Sequence, residues 1–341
     1  MVDDAGKQSA IFVLLPKYIL MKLGILLTQE HRLLSVAAML DVFEAVNTFY
    51  ANDGSAPFFD IIFVYCGQQA PALYAEYRIN STGDTTVYDI ILIPSFKTQA
   101  ITQSVQLNGA FIPWLQKQYC EGAAIASFCT GAFLLGSTGL LDNRPATTHI
   151  NADQAFARAF PAVILQANAV VTEKDRIYTS GGATNSFHLM MRLVEIYCGR
   201  SMAVRTAKLF SIDMDRTQQT YFGTFSPTEN HGDDLVKQVQ QGIKEHFREV
   251  NTIEEIVTSI PSSRRNLVRR FKQATGITPI EYLQKTRVEA AKQLLVHSRQ
   301  SILEIMLESG YNDFKSFRLI FKKNVGMTPT AYRKKFNGLT A

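Results

Sequence analysis

The chain has 341 residues, of which 46% are hydrophobic and 19% are charged. This composition excludes an intrinsically disordered chain, and the length exceeds what one hydrophobic core usually organises, so two domains are expected. The net charge of +5 is unevenly spread, because residues 233–341 contain 19 Lys and Arg against 11 Asp and Glu (+8), whereas residues 1–232 contain 16 against 19 (−3). The C-terminal part is therefore suited to binding a polyanion.

The first residues do not fit the pattern that follows them. An apolar run at Ile11–Leu20 is interrupted by Pro16 and Lys17, lacks a small-residue cleavage site and is too short to span a membrane. Because Met21 opens the first buried run, we predict that residues 1–20 are an extension outside the fold. The four cysteines lack metal-ligand spacing and lie in apolar patterns, which favours a reducing compartment. We expect a cytoplasmic protein without a membrane anchor or a metal site.

From Lys22 to Phe210, short β-branched runs alternate with longer segments of helical periodicity. Strands are predicted at Leu23–Leu27, Phe59–Tyr65, Asp89–Ile93, Ala123–Ser127 and Ile177–Thr179. Helices are predicted at Val36–Tyr50, Gln106–Tyr119, Gly131–Gly136, Ala152–Phe160 and Ser186–Tyr197. The alternation predicts a mostly parallel sheet covered by helices, in an α/β domain over residues 21–212.

Polar residues, glycines and a proline interrupt this pattern over residues 213–232, which we predict to be a linker. Only helical periodicity follows, so residues 233–341 form a second, all-α domain. It contains an internal repeat, in which Phe271, Lys272, Gly276, Thr278, Pro279 and Tyr282 recur fifty residues later as Phe321, Lys322, Gly326, Thr328, Pro329 and Tyr332. In each copy, glycine is predicted to end one helix in a left-handed conformation, and Thr-Pro to cap and open the next.

Each copy of the repeat has the pattern of a helix-turn-helix motif. A short helix (Thr252–Ser259 or Ser301–Glu308) precedes a tight turn and a second helix with basic residues outside. Apolar positions within Pro279–His297 predict one helix between the two motifs, in which Arg287 is structural. The stretches Ile253–Leu295 and Ile302–Phe336 resemble the DNA-binding domain of AraC/XylS-type regulators.

This resemblance implies that the second helices lie in the major groove of DNA. Contacts with bases or adjacent phosphates would then come from Arg264, Arg265, Val268 and Arg269 in the first motif and from Lys315, Ser316 and Arg318 in the second. Phosphates would be neutralised by Lys272, Lys322, Lys323, Arg333, Lys334 and Lys335, although the two tail lysines also suit plain solubilising charge. Pro261 replaces the usual glycine of the first turn and Leu319 a usual arginine, so we expect the first motif to carry more of the specificity.

A candidate ligand site lies in the α/β domain. The buried run Ala124–Ser127 leads into Phe128-Cys129-Thr130-Gly131 and at once into a helix, which places Cys129 at a strand-to-helix elbow. A helix N-terminus at this point is expected to lower the thiol pKa. His149 is a candidate imidazole partner, and Ser180-Gly181-Gly182 supplies a flexible turn.

The segment from Lys22 to Phe210 resembles the class I glutamine amidotransferase-like fold in its PfpI-like branch. The matching motifs are Ala-Ser-Phe-Cys129-Thr-Gly, Thr138-Gly139-Leu140-Leu141-Asp142 and Thr148-His149. The resemblance implies a flavodoxin-like α/β sandwich. The sequence departs from the enzymes at three places. Ser35 stands at the acidic position near the first helix, and Glu30 could substitute for that acid only from a different place in the structure. Pro94-Ser95-Phe96 stands where glycines are common, and His188 replaces an acidic residue at the start of the last helix.

Four interpretations of Cys129 and His149 remain open from the sequence: a cysteine-dependent hydrolase or lyase, a redox sensor, a pseudo-active site that binds a small metabolite, and a purely structural role for a half-buried cysteine at a turn and a hydrogen-bonded histidine. We prefer the third, without a catalytic residue, with Cys129, Thr130, His149, Ser95 and Gly182 lining the pocket. A PfpI-like domain followed by an AraC-type domain is the arrangement of the GlxA-like transcriptional regulators. The resemblance implies a homodimer that binds double-stranded promoter DNA and a small-molecule effector, with RNA polymerase as a further candidate partner and no cofactor. An architectural or repair protein could also carry paired helix-turn-helix motifs.

Overall fold

The structure is a computed structural model that describes residues 20–67, 77–97, 101–214, 231–250 and 262–337, together with residues 219, 223, 225 and 255. The predicted extension at residues 1–20 lies outside this part of the chain except for Leu20. The same holds for the short helix predicted at Thr252–Ser259, except for Glu255, and for the turn at Pro261. The predicted domain limits therefore remain predictions.

Seven strands form one sheet in the order β3-β2-β1-β4-β5-β9-β8. Their bounds are β1 Met21–Leu26, β2 Phe59–Tyr65, β3 Arg78–Ser81, β4 Ile90–Ile93, β5 Ala124–Phe128, β8 Val171–Lys174 and β9 Ile177–Ser180. All neighbouring strands are parallel except β8, which pairs antiparallel with β9. Two short strands, β6 Pro145–Ala146 and β7 Ile164–Leu165, pair separately. The flavodoxin-like α/β architecture expected from the sequence is confirmed.

Helices cover both faces of the sheet. They are α1 Leu33–Asn52, α2 Ile101–Leu107, α3 Phe111–Cys120, α4 Ala132–Gly136, α5 Asp153–Ala159, α6 Asn185–Cys198 and α7 Arg200–Leu209. One buried cluster joins α1, α6 and α7 to one face, and a second joins α3, α4 and α5 to the other. Among the described residues, α1 alone has the length and apolar composition of a membrane-spanning helix, and it supplies Val36, Met39 and Phe43 to the first cluster.

The predicted helix Gln106–Tyr119 was wrong, because the structure has two helices, α2 and α3, at this place. Asn108 explains the break. Its carboxamide accepts a hydrogen bond from Gln29 N (2.8 Å) and donates to the carbonyls of Gln29 (3.0 Å) and Ser104 (2.7 Å). A side chain that bonds to the backbone in this way offers an alternative to continued helix.

Sequence reasoning missed the edge strands β3 and β8 and the helix α7. Both strands have exposed or half-buried residues at almost every position, so they lack the apolar alternation that marked the inner strands. Helix α7 begins immediately after Gly199 and has a low apolar content. These elements extend the sheet and its cover without changing the predicted fold.

The C-terminal domain contains helices only, within its described residues. They are α8 Asp234–His246, α9 Arg264–Thr275, α10 Pro279–His297, α11 Ile302–Glu308, α12 Phe314–Val325 and α13 Pro329–Phe336. One buried cluster joins α8 and α9 to the start of α10, and a second joins the rest of α10 to α11, α12 and α13. Helix α10 therefore links the two motifs, with the bounds predicted from the sequence.

The caps of the repeat are confirmed in both copies. Gly276 and Gly326 end α9 and α12 with φ values of +84° and +83°, the left-handed region that favours glycine. Thr278 and Thr328 cap α10 and α13, each followed by proline as the first helical residue.

Candidate ligand site and nucleic-acid interface

Cys129 lies at the predicted elbow, directly after β5, with a left-handed φ of +56°. A 3-10 turn over Cys129–Gly131 leads into α4. Gly131 is required there, since a Cβ atom would lie 2.5 Å from the carbonyl oxygen of Pro94. The Thr130 hydroxyl accepts a hydrogen bond from Phe96 N (2.8 Å) and donates to Phe96 O (2.9 Å). The elbow is thus fixed to the carboxyl end of β4.

The expected lowering of the Cys129 pKa was wrong. Burial raises the pKa of this thiol above its ordinary value, since only 3% of the residue is exposed. Hydrogen bonds from Ala183 and Thr130 and the charge of Arg32 act in the opposite direction but do not outweigh the loss of water. The cysteine is therefore a neutral thiol at neutral pH, a poor nucleophile.

His149 lies beside the elbow and has a structural task of its own. Its Nδ1 atom accepts a hydrogen bond from Asn151 N (3.1 Å) and so caps the 3-10 turn Ile150–Ala152. Its ring packs so closely on Gly182 that a Cβ atom there would lie 2.1 Å from Cδ2. Burial first, and then the charge of Arg32, lowers the pKa of His149, so the imidazole is neutral at neutral pH. The preceding Thr148 donates to Cys129 O (3.0 Å).

The side chains that could have supplied an acidic group to the site have other partners. The Ser35 hydroxyl accepts a hydrogen bond from Ser95 N (3.0 Å), so this position supplies no carboxylate. The Glu30 carboxylate instead forms an ion pair with Lys97 (2.9 Å). His188 bonds through Nε2 to the carbonyl of Asp213 (2.8 Å). None of these side chains supplies the orienting acid that a Cys-His pair needs.

Arg32 is the site residue that sequence reasoning missed. It immediately precedes α1, its backbone N–H donates to Ser95 O (2.8 Å), and its Nε atom donates to Phe96 O (3.3 Å). Its charge acts on both Cys129 and His149. The position of Arg32 in the sequence could have indicated this role, since a basic residue between the first strand and its helix lies at the carboxyl edge of a parallel sheet.

The five residues predicted to line the pocket all lie at this edge. Cys129 and Thr130 follow β5, Ser95 follows β4 and Gly182 follows β9. His149 joins them through Gly182 and through Thr148. Within the described residues, no three His, Cys, Asp or Glu side chains form a group that could hold a metal ion.

Helix α9, the second helix of the first predicted motif, presents a continuous basic face. Arg264, Arg265, Val268, Arg269 and Lys272 line one open surface together with Gln273. Leu267 and Phe271, on the opposite side, are buried. The N-cap is Ser263, whose hydroxyl accepts from Asn266 N (3.4 Å).

Helix α12, the second helix of the second predicted motif, exposes Lys315, Ser316, Arg318 and Lys322 and buries Phe317 and Phe321. Its N-cap Asp313 accepts from Ser316 N (2.6 Å). Leu319 is 61% exposed, in the middle of the basic face. This helix therefore carries an apolar residue at the centre of the surface where α9 carries Arg269.

Other arginines of this domain have structural contacts. Arg270 binds both carboxylate oxygens of Asp233, the N-cap of α8, at 2.9 and 2.7 Å. Arg287 donates to the carbonyls of Phe247 and Val250, as expected for a structural residue. In the tail, Arg333 has buried Nε and Nη2 atoms, whereas Lys334 and Lys335 are exposed.

Two parts of the chain are similar to known protein families. Residues 73–196 match the sequence profile of the DJ-1/PfpI family, and residues 258–335 match that of a helix-turn-helix domain. A solved structure of a DJ-1 superfamily protein from Salmonella typhimurium is similar with a TM-score of 0.46 and 16% identity, covering 57% of this chain and 100% of that one.

Two curated relatives come from Pseudomonas aeruginosa. The HTH-type transcriptional regulator GbdR is 25% identical over 231 residues, which are 65% of this chain and 61% of GbdR. The HTH-type transcriptional regulator CdhR is 28% identical over 226 residues, which are 66% of this chain and 67% of CdhR. The matched region thus spans about three fifths to two thirds of the length of these relatives. In this chain, a region similar to the DJ-1/PfpI family thus precedes a region similar to a helix-turn-helix domain.

Proposed function

We propose that the protein is a sequence-specific DNA-binding transcriptional regulator whose DJ-1/PfpI domain binds a small metabolite. The observation that carries the proposal is the basic, exposed face of α9, which lies in the region that matches a helix-turn-helix domain. Arginine side chains on such a helix can donate two hydrogen bonds to guanine in the major groove. The relatives GbdR and CdhR, described as transcriptional regulators, support the same function.

Substitution of the α9 arginines tests DNA recognition. The wild-type chain selects a duplex from a random library, and fluorescence anisotropy then compares that duplex with random DNA. Arg265→Ala and Arg269→Ala should each reduce discrimination by about 1 to 3 kcal/mol, because each removes a base contact. Lys117→Ala, which removes one exposed charge from α3 of the other domain, is the matched control. Equal losses of affinity for both duplexes would show that these arginines contact phosphates rather than bases.

For the ligand site, the neutral thiol of Cys129 and the serine at position 35 argue against a cysteine hydrolase or lyase. They support a pocket that binds its ligand without reacting with it. In a thermal-shift screen of metabolites, Cys129→Ala should lose the response to the effector and keep DNA binding. A product formed only when Cys129 is present would instead identify an enzyme.

The assembly we propose is a homodimer that acts on promoter DNA in the cytoplasm, alongside RNA polymerase. Two helix-turn-helix motifs in one chain suit one half-site, and promoters are usually read as repeated half-sites. Light scattering with and without the selected duplex measures the assembly, and a monomer under both conditions would contradict the dimer.

A further inference from the structure

Gln219, which belongs to the segment between the two domains, is inserted into the DJ-1/PfpI domain. Only 1% of it is exposed. Its Oε1 atom accepts hydrogen bonds from Gly182 N (3.1 Å) and Asn185 Nδ2 (2.8 Å). Its Nε2 atom lies within hydrogen-bond distance of Thr148 O (3.0 Å), Ala167 O (2.9 Å) and Thr147 Oγ1 (3.2 Å). Every donor and acceptor of this buried carboxamide is therefore used.

The partners of Gln219 are also the walls of the candidate ligand site. The adjacent glycines 181 and 182 contact Gln219 and His149 respectively, because a Cβ atom on each would lie 2.1 Å from the corresponding side chain. Thr148 bonds to Gln219 through its carbonyl and to Cys129 through its hydroxyl. A shift of the His149 ring or of this glycine turn must therefore disturb the hydrogen bonds of Gln219.

Four residues further along the chain, the same segment is attached to the DNA-binding domain. The carbonyl of Gly223 accepts a hydrogen bond from Lys292, and Phe225 N donates to Glu289 (3.2 Å). The Phe225 ring packs edge-on against Tyr282, with ring centres 5.1 Å apart. All three partners belong to α10, the helix that joins the two recognition motifs. Because four residues span at most about 14 Å, the two attachments lie within that distance of each other along the chain.

We propose that Gln219 is a positioning residue that couples the Cys129 pocket to α10. A ligand that moves His149 or the Gly181–Gly182 turn breaks the Gln219 hydrogen bonds, releases the segment and frees α10 to move. The coupling is reciprocal, so loss of Gln219 also loosens the pocket. The proposal rests on the proposed function for its biological meaning, but its contacts are tested without DNA and without the effector.

Two measurements on the full-length chain report the state of the Cys129 pocket and of the segment that contains Gln219. Iodoacetamide labelling, resolved by peptide mass spectrometry, measures access to Cys129, and the exposed Cys120 is the internal standard. Limited trypsin digestion measures cleavage after Arg216, the only Lys or Arg in residues 213–232. Both rates follow the population of locally opened molecules.

Gln219→Ala should raise the Cys129 labelling rate and the Arg216 cleavage rate by about tenfold or more, because several buried hydrogen bonds are lost together. The Cys120 rate should not change. Gln219→Glu should behave like the alanine variant, since a carboxylate cannot donate to Thr148 O and Ala167 O. Gln166→Ala, which removes an exposed glutamine nearby, is the matched control. A Cys129 rate within twofold of wild type in Gln219→Ala would overturn the proposal.

Gly182→Ala perturbs the pocket at His149 and leaves Gln219 itself unchanged, because the new methyl group displaces the His149 ring. It should increase cleavage after Arg216 in the wild-type background and have no further effect in the Gln219→Ala background. A purely structural role for Gln219 would leave the two effects additive, which is the contradicting outcome. Where Gln219→Ala does not fold, the Gly182→Ala result in the wild-type background decides alone, and unchanged cleavage overturns the proposal. These measurements use no DNA, so they test the coupling independently of the DNA-binding experiments on the α9 variants.

Discussion

At the scale of single residues, Cys129 shows which parts of a site a sequence can predict. The run Ala-Ser-Phe-Cys-Thr-Gly predicted the elbow, because a buried strand that turns directly into a helix leaves few other conformations. The protonation state could not be predicted in the same way. It depends on burial, which raises the pKa, and on the weaker opposing effects of residues distant in sequence, such as the backbone of Ala183 and the charge of Arg32. Arg32 itself could be placed at the site only once the strand order was known.

His149 leads to a pH-dependent prediction. Its folded pKa lies below the ordinary value of 6.5, so between these two values the unfolded state binds more protons than the folded state. Stability should therefore fall as the pH is lowered through about 6.5 toward the folded pKa. His149→Gln should reduce this slope, whereas His297→Gln, at an exposed position, should not. Urea unfolding midpoints between pH 7.5 and 5.5 measure the effect, and an unchanged slope in His149→Gln would contradict it.

At the scale of helices and strands, the sequence predicted those elements whose pattern is set locally. The inner strands and α10 follow from apolar runs and from Thr-Pro and glycine caps, which act within one turn. The break between α2 and α3 could not be predicted, because Asn108 makes it by bonding to Gln29, seventy-nine residues away. Edge strands were missed for a similar reason, since their pairing depends on a neighbouring strand.

Arg287 provides a prediction about helix packing. From α10 its guanidinium donates to the carbonyls of Phe247 and Val250, at the C-terminal end of α8, and it lies over the Tyr311 ring. Arg287→Met should lower the stability of the C-terminal domain by roughly 1 to 3 kcal/mol, because half-buried carbonyls lose their donor. Arg299→Met, at an exposed position, is the control. Urea unfolding measures both variants, and equal midpoints would show that water replaces the guanidinium at no cost.

At the scale of the whole molecule, the uneven charge was the first indication of function. Residues 233–341 carry +8 and the rest of the chain −3. The structure concentrates part of the positive charge on the exposed faces of α9 and α12, on the same domain that the segment around Gly223 and Phe225 contacts through α10. One negatively charged domain and one positively charged domain suit a molecule that binds DNA through one end and is controlled through the other.

Lys322 is expected to contribute to the affinity for DNA but not to the sequence specificity. It is exposed in the last turn of α12, where a flexible ammonium suits phosphate better than a base edge. Lys322→Gln should weaken binding to the selected and random duplexes equally and lower the slope of log K against log salt concentration by about one, since one fewer counterion is released. Anisotropy titrations over a salt series test this, with Lys117→Gln as the control. A loss confined to the selected duplex would instead identify Lys322 as a base-reading residue and give α12 a larger share of the specificity than its exposed Leu319 suggests.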